Sequence, residues 1–213
     1  MSGAVDPVLV LVILLNFYAL GTSRVDAVIN AVALQGAVLG ALAVLVHGFH
    51  DPLPLLLGML TLLVKGVAIP MMLRRAMREV AIRREIEPYI AYVPSLLACA
   101  AGTAMSFLFA RHLPLASQHT GSILVPAALA TVTSGFLVIA TRRKAITQVA
   151  GYLVLENGVF VMGLGLLEAM PFLVEVGILL DLFVAIFVMG IILHHVSREF
   201  ASLDTGRLSD LKE

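Results

Sequence analysis

The 213-residue sequence has no tryptophan, a single cysteine and few charges: only 13% of residues are charged, about half the ~25% of an average soluble domain. Each shortage excludes something. One cysteine, Cys99, can build neither an intrachain disulfide nor a thiolate metal cluster from this chain alone, and it reads as small core packing. The low charge excludes an ordinary soluble enzyme. Fourteen Lys+Arg against fourteen Asp+Glu leave a net charge of zero, so there is no global attraction toward nucleic acid. The chain also lacks a Gly-rich phosphate loop, a His-Glu-x-x-His, a Cys-x-x-Cys and a defensible haem ligand pattern. Redox chemistry and nucleotide hydrolysis by this chain alone are therefore not expected, and neither a cofactor nor a metal is assigned to it. The amino-terminal stretch Met1 to Pro7 has no basic n-region, so the first apolar run is expected to remain as a span.

What the chain does have is apolar length. Sixty per cent of its residues are hydrophobic, and its mean hydropathy is +1.02. Crossing ~30 Å of hydrocarbon takes about 20 residues at ~1.5 Å of rise each. Seven such runs are expected, at 4–22, 25–47, 53–73, 89–110, 121–141, 145–167 and 172–195, separated by turn and breaker residues. They are apolar on every side, without the alternation of a membrane barrel, which gives an all-α polytopic membrane protein. Lys and Arg are held on the cytoplasmic side. Arg24; Arg74, Arg75, Arg78, Arg83 and Arg84; Arg142, Arg143 and Lys144; and Arg198, Arg207 and Lys212 share one face. Arg111 lies on the other, which places the amino terminus outside and the carboxyl terminus in the cytoplasm. The chain divides into a four-helix region over 1–110, a three-helix region over 111–196 and a cytoplasmic tail over 197–213. The basic segment from Arg74 to Glu87 reads as a solvated extension of the third helix, or as a contact with anionic headgroups or an acidic partner.

Most of the charges serve topology; a few lie at membrane depth. There an ionisable group costs roughly 2.5–3.5 kcal/mol on insertion scales and persists where it faces protein, water or another charge. The set is Lys65, Glu156 and Asp181, with Glu168 and Glu175 nearer helix ends. Glu156 and Asp181 fall at similar depth on helices joined by a short turn. Gln148, Tyr152 and Glu156 recur every four residues, so a donor-rich strip accompanies one carboxyl. Gly177 and Ala185 flank Asp181 on its face and leave room for a helix or a file of water. Burial disfavours the charged form of each group unless it meets an opposite charge, and either outcome suits proton transfer. Lys65 has three candidate partners: Glu156, Asp181 or a neighbouring subunit. Asn16, Asn30, Gln35, Thr131, Thr133 and Ser134 read as interhelical packing hydrogen bonds, and Gly36 with Gly40 as a helix-contact face. His194 and His195 point about 100° apart, His47 and His50 lie in a loop, and no metal site is read from them.

The stretch Arg142-Arg143-Lys144 through Gln148, Tyr152 and Leu155-Glu156-Asn157-Gly158, followed by Gly177 to Ala185 around Asp181, resembles the hydrogenase-4 component E family, membrane subunits of group 4 nickel–iron hydrogenases of the formate-hydrogenlyase type. The last three expected spans are also similar to the small K subunit of respiratory complex I and to the C subunit of multisubunit cation/proton antiporters. Glu156 matches the first acid of the K-type pair, and Asp181 the second, where the K subunit usually carries Glu. The resemblance implies a non-catalytic subunit in the cytoplasmic membrane of a bacterium or archaeon. Its partners would be antiporter-like and other membrane subunits as well as lipid, with no nucleic acid. It implies that Glu156 and Asp181 lie in a hydrophilic axis coupling electron transfer to proton or sodium translocation, and that the nickel–iron centre and iron–sulfur clusters sit in partner subunits. Asn157 adjoins the first acid as a supporting polar residue. Lys65 inherits nothing from the K subunit. Three other readings stand beside this one: a purely structural membrane subunit, a subunit of a complex I-like or multisubunit cation/proton antiporter complex, and a self-sufficient transporter, for which no internal repeat is visible.

Overall fold

The computed structural model describes residues 2–47, 59, 62–79, 88–113 and 122–166. The expected seventh span, with Asp181, Glu175 and the tail, lies outside the described residues. Among those described, the regular elements are helices. α1 (Ser2–Gly21) and α2 (Val25–His47) form a hairpin. Its turn is closed by Thr22, whose hydroxyl accepts the Arg24 N–H at 3.2 Å, and by the Arg24 carbonyl, which accepts the N–H groups of Ala27 and Val28. α4 (Tyr92–His112), α5 (Leu124–Thr141) and α6 (Ala145–Leu166) follow α3 (Ile69–Glu79).

α3 grows out of a π-helical turn, Val64–Ala68, in which the Ile69 N–H reaches back to the Val64 carbonyl. The cause is close at hand in the sequence. In a regular α-helix the ring of Pro70 would meet the carbonyl of Gly66, and its missing N–H would break the ladder there. A widened turn one residue upstream avoids the conflict.

The second, fourth, fifth and sixth helices contain stretches long and apolar enough to cross a membrane: Val25–Leu42, Tyr92–His112, Leu124–Thr141 and Ala145–Leu164; Val5–Gly21 in α1 is a shorter apolar stretch. α5 and α6 make the closest contact, around the bend Arg142–Lys144, and a Cβ on Gly158 would stand 2.6 Å from the Val132 nitrogen. Only hydrogen fits, so the two backbones touch.

The two larger clusters of buried apolar side chains form two layers, beside a small cluster of Leu20, Cys99 and Val138. One joins Ala19, Val25, Val28, Val32, Leu73, Ile146 and Val154; the other joins Leu9, Val12, Leu39, Leu42, Ala128, Val161 and Leu164. Between them, at mid-height, lie buried Asn16, Gln35, Thr131, Glu156 and Asn157. The basic turns meet at the end nearer the first layer, where Arg142 contacts the end of α1 and the start of α4, and Arg74 contacts α2.

Candidate functional site

Glu156 occupies the middle of α6 and is 5% exposed. Tyr152 and Phe160, one turn either side, share its face. Lys65, in the π turn, lies over that face with its Nζ 2.7 Å from Glu156 Oε1 and 5.0 Å from the centre of the Phe160 ring. At 7% exposure it is as buried as its partner. Of the three partners the sequence allowed, the structure pairs Lys65 with Glu156. Gly36 makes the approach possible: a Cβ there would stand 2.7 Å from Lys65 Cβ and 3.0 Å from its carbonyl carbon. The lysine backbone rests directly on α2.

Asn157 is turned about 100° from Glu156 around the helix and faces α2 instead. Its Nδ2 donates to Gln35 Oε1 at 3.4 Å. Gln35 Nε2 donates to Asn16 Oδ1 at 2.7 Å and to the Val12 carbonyl at 3.1 Å. Asn16 Nδ2 donates to Thr131 Oγ1 at 2.9 Å, and the Thr131 hydroxyl donates to the Ala127 carbonyl at 2.8 Å. Four helices, α6, α2, α1 and α5, are thus joined in one buried chain. The consecutive residues Gln35–Gly36 and Glu156–Asn157 are bridged twice, once by amides and once through Lys65.

In the sequence Asn16, Gln35 and Thr131 stand singly, each as an interhelical hydrogen bonder. Each sits at mid-helix between two apolar layers, so their helices bring them to one level. Other expected residues go elsewhere. Gln148 Nε2 donates to the Arg142 carbonyl at 2.9 Å and the Ile139 carbonyl at 3.5 Å, closing the α5–α6 bend. Tyr152 is half-buried and packs on the first apolar layer. Thr133 and Ser134 bond carbonyls of their own helix at 2.8 and 2.7 Å. Cys99 is buried, 3.4 Å from Ser134 Oγ. Asp181 lies outside the described residues. Arg142, expected as one of the basic loop residues that mark the cytoplasmic face, is 1% exposed: it donates to the Leu20 carbonyl at the end of α1 and lies 4.3 Å from the Tyr92 ring centre. The orphaned carbonyls of a helix end and an aromatic face replace the water it gives up. Among the described residues, no three His, Cys, Asp or Glu side chains come together to hold a metal ion.

Chemically, an ammonium in contact with a carboxylate can hand over a proton along one hydrogen bond. Such a transfer makes a neutral acid and amine and leaves the net charge of the pair unchanged. Only exchange with a third group alters it. The amide chain offers donors and acceptors engaged with one another, which holds the helices in register around the pair.

Against known proteins, no family model matches the chain, and no solved structure matches it. The hydrogenase-4 component E proteins of Escherichia coli K12 and Shigella flexneri are 33% identical to it over 100 residues, 47% of this chain and 45% of theirs. The match thus spans a little under half the length of those two proteins. Over 192 residues, 88% of this chain and 86% of the relative, it is 32% identical to a Mycobacterium tuberculosis protein named uncharacterized protein Rv0085. At that identity across most of both chains, this protein belongs to the same family as Rv0085.

Proposed function

We propose that the chain is an integral, non-catalytic subunit of a membrane-bound nickel–iron hydrogenase complex of the hydrogenase-4 type, and that it contributes to a hydrophilic axis coupling electron transfer to proton or sodium translocation. The observation that carries this reading is the Lys65–Glu156 ion pair at 2.7 Å, buried at mid-height in a bundle of apolar helices. The partial likeness to hydrogenase-4 component E supports it. In this reading the redox centres belong to partner subunits, the basic end of the bundle faces the cytoplasm, and antiporter-like subunits adjoin it in the cell membrane. Glu156 exchanges its proton between Lys65 and a further carrier, for which Asp181 is proposed. A charge arriving on that carrier would loosen the pair and pass a change of state along the membrane arm.

A second reading is favoured by the amide chain. Asn16, Gln35 and Thr131 each bond another buried group, as a purely structural subunit would require. The assembled complex separates the two. With Glu156→Gln, the relay reading expects assembly and hydrogen turnover to persist while ion translocation per turnover falls at least about tenfold, measured in sealed vesicles. A parallel loss of assembly, turnover and translocation would favour the structural subunit. Co-purification in mild detergent with a nickel–iron subunit tests the membership itself.

A further inference from the structure

The described basic residues do not all serve as topological markers. Arg74 and Arg75, together with Met71 and Met72, line a cavity of about 560 Å³ on α3, within the ~300–1,000 Å³ of small-molecule sites. Three features define its chemistry. Arg74 is held by Asn30 of α2, whose Oδ1 accepts its Nη2 at 2.8 Å, so one guanidinium is oriented before any ligand arrives. Leu73 and Met77 are buried against the bundle, while Arg74 and Arg75 lie on the more exposed side of α3. Met71, 56% exposed, extends an apolar surface beside the arginines. The cavity also lies toward the end of the bundle where Arg24 and the Arg142–Lys144 turn gather, the polar end of helices apolar enough to span a membrane. Guanidinium groups match phosphate oxygens in geometry and charge, while the methionines match an acyl chain.

We propose that this cavity is a binding site for an anionic phospholipid, its phosphate on Arg74 and Arg75 and the start of an acyl chain on Met71 and Met72. The occupant is a lipid, not a soluble anion, because half of the named lining is apolar and the site stands at headgroup level on membrane helices. Asn30 is a positioning residue: it fixes Arg74 without touching the lipid.

The test uses the full chain purified in mild detergent and mixed with equal amounts of phosphatidylglycerol and phosphatidylethanolamine, with bound lipids counted by native mass spectrometry. Unaltered protein should retain phosphatidylglycerol preferentially. Arg74→Gln and Arg75→Gln should each lower that preference about fivefold, and Asn30→Ala should lower it by a smaller factor. Arg143→Gln, at an exposed arginine outside the cavity, should leave it unchanged. Inorganic phosphate added to the unaltered protein should displace no lipid, a result that needs no variant to fold. An unchanged preference in the Arg74 and Arg75 variants would overturn the proposal, as would an equal loss in Arg143→Gln, which marks diffuse charge. Displacement by inorganic phosphate would overturn it in favour of a soluble-anion site.

Discussion

Lys65 and Glu156 are worth far more together than apart. Each was carried into an apolar bundle at a cost that the opposite charge of the other offsets, so removing one partner leaves a buried charge without that counter-ion. Lys65→Met should destabilise the chain by about 3–5 kcal/mol, and Glu156→Gln by less, because the glutamine Oε1 still accepts a hydrogen bond from the Lys65 ammonium and the helices stay assembled. The double variant should cost less than Lys65→Met alone, because two neutral side chains of similar size need no counter-charge. Denaturant titration of the purified chain in mixed micelles, followed by helical circular dichroism, gives the three free energies. If the two single losses simply add, the groups do not couple. The expense of a buried charge made both residues legible from sequence. The bond between them was not, because it depends on which way the third helix is rotated, and that rotation is set by a π turn.

Helices fold here by two rules that sequence exposes unequally. Apolar length marks the helices clearly: α2, α4, α5 and α6 fall where runs of about 20 apolar residues were found. How they touch depends on single atoms. The run at 53–73 reads as continuous, yet a π turn at Val64–Ala68 interrupts it just before Pro70. Arg142 reads as a loop cation, but its burial comes from Leu20 and Tyr92, which lie 122 and 50 residues upstream. Two glycines of α6 separate close approach from simple permissiveness. A Cβ on Gly158 would meet the Val132 nitrogen at 2.6 Å and the Ala128 carbonyl oxygen at 2.9 Å, whereas one on Gly163 meets nothing within 4 Å. Gly158→Ala should force α5 from α6 at about 1–3 kcal/mol. Gly163→Ala should be neutral or stabilise by up to about 1 kcal/mol through helix propensity. The same titration read on both variants checks the pair; equal effects would mean that the α5–α6 spacing is not set by Gly158.

At the scale of the molecule, the arrangement is a polar sheet between two apolar layers. Each apolar layer draws on several helices, but the mid-height chain from Asn157 through Gln35 and Asn16 to Thr131 fixes four of them in rotation and height at once. Asn16, Gln35 and Thr131 were each visible in the sequence as an ordinary interhelical donor or acceptor. Their joint role was not, since pairing residues 115 and 122 positions apart requires helix rotations that hydropathy does not encode. Gln35 is the hinge of the chain, with bonds to Val12, Asn16 and Asn157. Interhelical hydrogen bonds in membranes average ~0.6 kcal/mol each, and a stranded buried partner adds more. Gln35→Leu should therefore cost about 2 kcal/mol. Thr133→Val makes the control, because among the described residues the Thr133 hydroxyl bonds the Leu129 carbonyl of its own helix, and valine keeps the methyl facing Gly102. It should stay within about 0.5 kcal/mol of the parent. Combining Gln35→Leu with Lys65→Met then asks whether the two bridges between α2 and α6 act as one unit. Because Lys65 rests on Gly36 beside Gln35, their losses should fall short of additive, and strict additivity would show two independent contacts.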